Sequence, residues 1–309
     1  MNYLEYFGLK EDPFKITPDP SYFFESLTHR KAKELLKYTV ASKEGFCVIL
    51  GEPGTGKTTV LKKFLKEISK DYIVATIYNP MLNPEEFLKT LLDEFKIDYR
   101  KESSKNELLK YLYTFLEEKL NEGKRVLIVI DEAQLMPFET LEELRLLSNL
   151  ETEKEKLVQI ILVGQPELEE KLQNPKLRQL QSRISNKMFL EPLSKEETEK
   201  YLNHRLKVAN FQKLNFDKSA IEEIYKHSSG IPRIINLIAS RSLMVAFLEN
   251  TLTIKDTQVQ KSLSAIKTSE NLNFKDDKKF LILYLILIVM LSSATVLVIL
   301  YILRILKIF

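Results

Sequence analysis

From residue 46 onward the chain alternates two hydrophobic patterns. Short apolar runs stand at Phe46-Cys47-Val48-Ile49-Leu50, at 72–78 (YIVATIY), 125–130 (RVLIVI), 158–163 (VQIILV) and 187–193 (KMFLEPL). Each has the length of a strand, and stretches with helical spacing lie between most of them. A parallel strand needs a long crossover to return and buries both of its sides. The alternation therefore predicts an α/β unit over 46–193 with a parallel five-stranded sheet under helices on both faces.

The flanking segments follow different patterns. Residues 1–45 open with Pro13, Pro18 and Pro20 among Phe14, Tyr22, Phe23 and Phe24, which predicts an irregular segment packed on the α/β core. A helix should follow it, with Leu27, Ala32, Leu35, Leu36 and Val40 near helical spacing. From Ser194 the pattern is all helical. Ser194 and Glu197 form a capping box for a helix through Val208, Asp217 caps a second, and Gly230-Ile231-Pro232 breaks into a third. A fourth helix is predicted at about 255–266, completing a helical domain over 194–266. Residues 267–279 are polar and read as a linker. Residues 280–303 carry no charge, and at 1.5 Å per residue they would make about 36 Å of helix, enough to cross a membrane.

Composition adds little beyond this. Formal charge is +3 over 309 residues, which gives no general attraction to nucleic acid or acidic lipid. The single cysteine, Cys47, lies inside an apolar run and reads as a small core side chain in a reduced compartment. The N-terminus lacks the basic start and apolar stretch of a signal peptide. His29, His204 and His227 show no metal-ligand spacing.

The chemistry concentrates at the ends of the predicted strands. Gly51-Glu52-Pro53-Gly54-Thr55-Gly56-Lys57-Thr58-Thr59 matches a phosphate-binding loop between a strand and a helix. Its glycines let successive backbone N–H groups turn toward a phosphate, and the helix adds its positive end. Lys57 can reach the β- and γ-phosphates of ATP, and the Thr58 hydroxyl can ligate Mg²⁺. Asp131 and Glu132 end the 125–130 run. Asp131 would hold Mg²⁺ directly or through water, and Glu132 would orient or deprotonate the attacking water.

Weaker candidates sit around this pair. Asn79 closes the second run, where its amide can hold Glu132 idle, and it reads equally as a turn residue before Pro80. Gln165 follows the fourth run and can reach the γ-phosphate. Arg178 and Arg183 precede the fifth, where an arginine can reach a neighbouring subunit's nucleotide, with Arg183 ahead of Arg178. Arg233 opens a helix of the second domain, an electrostatically poor place for a cation unless it faces the nucleotide.

The order of these motifs resembles one family. Tyr6-Phe7-Gly8-Leu9-Lys10-Glu11-Asp12-Pro13-Phe14, Thr17-Pro18-Asp19-Pro20, the phosphate loop, Asp131-Glu132-Ala133-Gln134, Gly164-Gln165-Pro166-Glu167-Leu168, Gln181-Ser182-Arg183-Ile184 and Gly230-Ile231-Pro232-Arg233-Ile234-Ile235-Asn236 occur in sequence. Together, over roughly 1–265, they are similar to the general secretion pathway protein A (ExeA-type) ATPases, a branch of AAA+. The resemblance implies an α/β domain with a helical lid, ATP held between them, and subunits in a hexamer-like ring. It places Gln165 as the first sensor, Arg233 as the second, Arg183 as the arginine finger and Asn79 at the glutamate switch.

The same resemblance implies a cytoplasmic ATPase at the bacterial inner membrane that serves a secretin or pilus-type machine. The expectation is single-pass anchoring in lipid through 280–303, a membrane protein as partner, and no nucleic acid. Lys275, Lys278 and Lys279 agree with a cytoplasmic N-terminal side, while Arg304 and Lys307 blunt the asymmetry. Relatives continue past the membrane helix into a peptidoglycan-binding part. The chain as given ends soon after residue 303, so a partner would supply wall binding. The alternative reading is a DNA-associated ATPase similar to transposition targeting ATPases, disfavoured by the apolar segment and the lack of a basic tract.

Overall fold

The computed structural model describes residues 2–15, 17, 19–151, 156–211 and 214–265. The linker and apolar segment expected at 267–303 lie outside them. Among the described residues no helix is long and apolar enough to cross a membrane.

In chain order the elements are α1 (Tyr3–Phe7), α2 (Leu27–Ala41), β1 (Phe46–Leu50), α3 (Lys57–Glu67), β2 (Tyr72–Ile77), α4 (Pro84–Glu94) and α5 (Lys105–Asn121). They continue with β3 (Arg125–Ile130), α6 (Phe138–Leu147), β4 (Val158–Gly164), α7 (Pro166–Leu172), α8 (Arg178–Gln181) and β5 (Ile184–Phe189). The second unit holds α9 (Lys195–Val208), β6 (Asn215–Phe216), α10 (Lys218–Ser228), α11 (Pro232–Leu248) and β7 (Thr253–Ile254). Residues 256–265 are again helical.

The main sheet runs β2-β3-β4-β1-β5, with every pairing parallel. Side chains alternate between its faces, as strand geometry requires. Phe46, Val48, Leu50, Ile128, Ile130, Ile160 and Leu162 pack under α4, α5 and α6 through Leu88, Leu92, Leu112 and Leu144. Cys47, Ile49, Leu127, Val129, Ile161 and Val163 face the other way, against Leu36 of α2 and Val60, Leu61 and Phe64 of α3. Cys47 is fully buried, and burial pushes its thiol up to about 11.

The fifth strand begins earlier than the apolar run suggests, at Ile184 rather than residue 187. It is an edge strand, half-exposed along its length, and a bulge at Ser185 shifts its register on β1. Ser185, Asn186 and Lys187 can therefore be polar, and this hides the strand from a hydrophobicity reading.

The second unit has the expected caps. Ser194 and Glu197 form a capping box on α9, Asp217 accepts from the Ala220 N–H at the start of α10, and Pro232 opens α11. It is not all helical: β6 and β7 pair as a short parallel ribbon. Two residues per strand are too few for a period to show in the sequence.

The N-terminal segment departs from the expected packing on the α/β core. Only α2 and Phe23 pack there. Phe7, Leu9, Phe14 and Tyr22 join Tyr201, Leu206, Ile221, Ile224 and Ile238 in the core of the second unit. Arg205 on α9 secures them. This nearly buried guanidinium donates from Nε to the Pro13 carbonyl and from Nη1 to the Tyr201 hydroxyl at 3.0 Å. It also lies 4.8 Å over the Tyr22 ring.

Candidate functional site

Strand order creates the site. Because β4 lies between β3 and β1, the C-terminal ends of these three strands open on one edge of the sheet, where α/β folds hold ligands. The phosphate loop leaves β1, Asp131-Glu132 leaves β3 and Gln165 leaves β4.

The loop is held in shape by its own side chains. Thr55 donates from its hydroxyl to the Glu52 carbonyl at 2.8 Å. Lys57, at the first position of α3, curls back and donates to the carbonyls of Gly51 (2.7 Å) and Glu52 (3.0 Å). Burial lowers its proton affinity, and the carboxylates of Glu132 and Asp131 act in the opposite sense. The ammonium is thus nearly buried over a loop of backbone amides, an arrangement suited to a phosphate. Gly54 and Gly56 have φ of +85° and +102°, which few side-chain-bearing residues adopt.

Asp131 is buried against α3. Its Oδ2 accepts from the Thr58 hydroxyl at 2.7 Å and its Oδ1 from the Glu132 N–H at 3.0 Å. Burial raises this carboxyl above its ordinary value against both hydrogen bonds. A hydroxyl and a carboxylate meeting beside the loop form a hard oxygen donor set that fits Mg²⁺. Glu132 stands in the left-handed region at φ +53°. Its Oε2 accepts from Gln134 Nε2 at 2.7 Å and from Gln165 Nε2 at 3.0 Å. Burial raises the Glu132 carboxyl, but these two amides and Lys57 outweigh it and leave the net value below the usual glutamate range.

The other sequence candidates are placed as follows. Asn79 is exposed just past β2 and makes no side-chain hydrogen bond among the described residues; the amides on Glu132 belong to Gln134 and Gln165 instead. The expectation that Asn79 holds Glu132 is therefore not met in this structure: β2 neighbours β3, but the Asn79 side chain is exposed and Glu132 is bonded toward the β4 side, where Gln165 stands. Arg233 does reach the loop. Its backbone N–H lies 3.4 Å from the Gly54 carbonyl, and a methyl group on Gly54 would sit 2.6 Å from Arg233 Cβ. The start of α11 thus rests on the phosphate loop, with the Arg233 side chain exposed. Arg178 is exposed at the start of α8 and Arg183 half-buried before β5; neither has an ion-pair partner among the described residues.

Two contributors were missed in the sequence. Gln134 lies in the Asp-Glu-Ala-Gln motif but has no role that its position alone would suggest. His29, nearly buried, bonds the loop from behind through Nε2 and the Thr55 carbonyl at 2.9 Å. No sequence signal marks it, since its spacing fits a helix N-terminus as well.

The sheet order, the phosphate loop and the adjoining acidic pair define an AAA-type P-loop ATPase domain. A family model described as an AAA domain matches residues 40–172. The chain is similar to general secretion pathway protein A of Aeromonas hydrophila, with 39% identity over 267 residues, which is 86% of this chain and 48% of the relative. The chain thus spans about half the length of the curated relative it matches. Solved structures share the fold. They include the Pyrobaculum aerophilum Cdc6p (TM-score 0.60, 19% identity, 79% of this chain and 70% of that one). The Aeropyrum pernix ORC2 protein matches with a TM-score of 0.58, 16% identity, and 83% and 72% coverage.

Proposed function

We propose that this protein binds ATP between the α/β domain (46–193) and the helical lid (194–266) and hydrolyses it. The observation that carries this reading is the meeting of four groups at one edge of the sheet: Lys57 on the loop, Thr58 bonded to Asp131, and Glu132 beside them. Backbone N–H groups of 51–59 and Lys57 would bind the phosphates. Thr58 and Asp131 would hold Mg²⁺, which when bound neutralises charge on the β- and γ-oxygens. Glu132 would take a proton from water as its oxygen attacks the γ-phosphorus, while the bond to the β-bridging oxygen breaks and its electron pair leaves with ADP. Gln165 would sense the γ-phosphate and Arg233 would report its loss to the lid. Arg183, from a neighbouring copy, would serve as the finger. Asn79 remains a weaker candidate, now without a contact to Glu132.

The homology to general secretion pathway protein A supports a role at the bacterial inner membrane. In this reading a ring of copies is anchored in lipid by 280–303, joined by the linker 267–279, and acts on a membrane protein of a secretion or pilus-type machine. The test is turnover by the purified chain against Glu132→Gln. The variant should bind ATP and hydrolyse it at least about a hundred-fold more slowly, as loss of a general base predicts. Near-normal turnover by the variant would remove Glu132 from this role. Strong stimulation by duplex DNA with steep salt dependence would favour a DNA-associated ATPase instead.

A further inference from the structure

We propose that Gln134 is a positioning residue that, together with Gln165, holds Glu132 in a resting pose which hydrolysis must break. The inference rests on the reading of Glu132 as the base. Both amides donate to the same carboxylate oxygen, Oε2. The orientation of Gln134 is itself determined. Its Oε1 accepts from the backbone N–H of Gln165 at 3.1 Å, so the NH₂ group must face Glu132. The backbone under it is pinned as well. Lys171 on α7 donates to the carbonyls of Gln134 (2.6 Å) and Met136 (2.8 Å). Gln134 therefore links the ends of β3 and β4 and joins Glu132 to the residue expected to sense the γ-phosphate.

This geometry has a consequence for turnover. Oε2 carries two lone pairs suited to hydrogen bonding, and two amide donors occupy them. With the carboxylate tied in this way, its orientation is set by Gln134 and Gln165 rather than by an attacking water. Gln165 places one of its two N–H donors on Glu132, so a turn of its amide toward a γ-phosphate would release that bond. A γ-phosphate that draws Gln165 away leaves Gln134 as the remaining tie. Glu132 also stands in a left-handed backbone conformation, which is uncommon for glutamate and persists only where surrounding contacts hold it.

The test compares kcat for the full chain, purified in detergent, with Gln134→Ala, Gln134→Met, Glu132→Gln and the double variant Glu132→Gln/Gln134→Ala. Binding of ADP and the melting temperature are measured for each. Removing the tie should raise kcat about ten-fold, the low end of what one hydrogen bond to a charged group is worth. ADP affinity should stay unchanged, and the double variant should be as slow as Glu132→Gln. A purely structural role would lower kcat and melting temperature together, and could not raise turnover. Met keeps the volume of Gln, so it answers the question if the alanine variant fails to fold. An unchanged or reduced kcat in a folded Gln134 variant, with wild type active and Glu132→Gln slow, overturns the role of Gln134 alone. Inactive wild type, or a Glu132→Gln variant that turns over like wild type, overturns the hydrolysis reading, and the role of Gln134 falls with it.

Discussion

His29 Nε2 lies 2.9 Å from the carbonyl oxygen of Thr55, so a buried imidazole on α2 braces the phosphate loop from the side away from the ligand. A carbonyl oxygen can only accept, which requires the proton on Nε2. Nδ1 is then an acceptor, and it receives the Ser26 N–H at 3.2 Å. A peptide plane is rigid, so holding the Thr55 carbonyl on one side turns the Gly56 N–H toward the other, where a phosphate would lie. A methyl group on Gly56 would come 2.8 Å from His29 Nε2.

The neutral form of His29 makes the fold sensitive to acid. Burial lowers its pKa from the ordinary 6.5, against weaker opposing effects of the Thr55 carbonyl, Glu197 and Glu25. The unfolded chain therefore binds this proton at higher pH than the folded one. The contribution is complete above the unfolded value and is lost as pH falls through the lower folded value. Melting temperatures measured between pH 7 and pH 5 should fall more steeply for wild type than for His29→Gln. His204 is also lowered and titrates in both proteins, so the difference between the two curves isolates His29. Parallel curves would rule out this source of acid sensitivity.

Gly54 sets how closely the start of α11 approaches the phosphate loop. Gly54→Ala would place a methyl group 2.6 Å from Arg233 Cβ on a residue with φ +85°. The left-handed conformation alone costs a non-glycine residue roughly 1–2 kcal/mol. Urea unfolding should show a loss of at least that size, and nucleotide affinity should drop because α11 is displaced from the loop. Wild-type affinity in this variant would mean that the contact between α11 and the loop is dispensable for binding.

Arg205 fastens the N-terminal segment to the second unit. Arg205→Met would leave the Pro13 carbonyl and Tyr201 hydroxyl without their donor and remove the cation over Tyr22. Stability should fall by about 2 kcal/mol, and limited proteolysis within residues 2–24 should accelerate before the rest of the chain is cut. Uniform cleavage kinetics across the chain would count against a separate fastening of this segment.

If Arg183 completes a neighbour's site, two inactive variants should rescue each other. Glu132→Gln supplies an intact arginine, and Arg183→Ala supplies an intact Glu132. Mixing them should restore part of the wild-type ATPase rate, with a maximum at intermediate ratios. A mixture no more active than its components would place Arg183 outside the site, and the same experiment on Arg178→Ala would then decide whether that residue acts.

Much of this fold can be read locally. The loop 51–59 declares itself because a phosphate cradle is made from consecutive residues. Asp131 and Glu132 follow from a buried run that ends in acids. The caps Ser194 and Asp217 each bond within three residues of themselves, so their helices were visible without any tertiary contact. The start of β5 was not visible, because an edge strand with a bulge needs few apolar residues.

The remaining features depend on contacts between distant parts of the chain. Gln134 meets Gln165 only because β3 and β4 are neighbours. His29 reaches Thr55 because α2 packs on the face of the sheet that carries α3. The first residues join the second unit through Arg205, 192 positions beyond Pro13. Hydrogen bonding and backbone preference over a few residues were enough to specify the strands, caps and phosphate loop. The choice of donors for Glu132, the brace behind the loop and the docking of the N-terminus were decided by side-chain packing, which brings together residues that no local pattern connects.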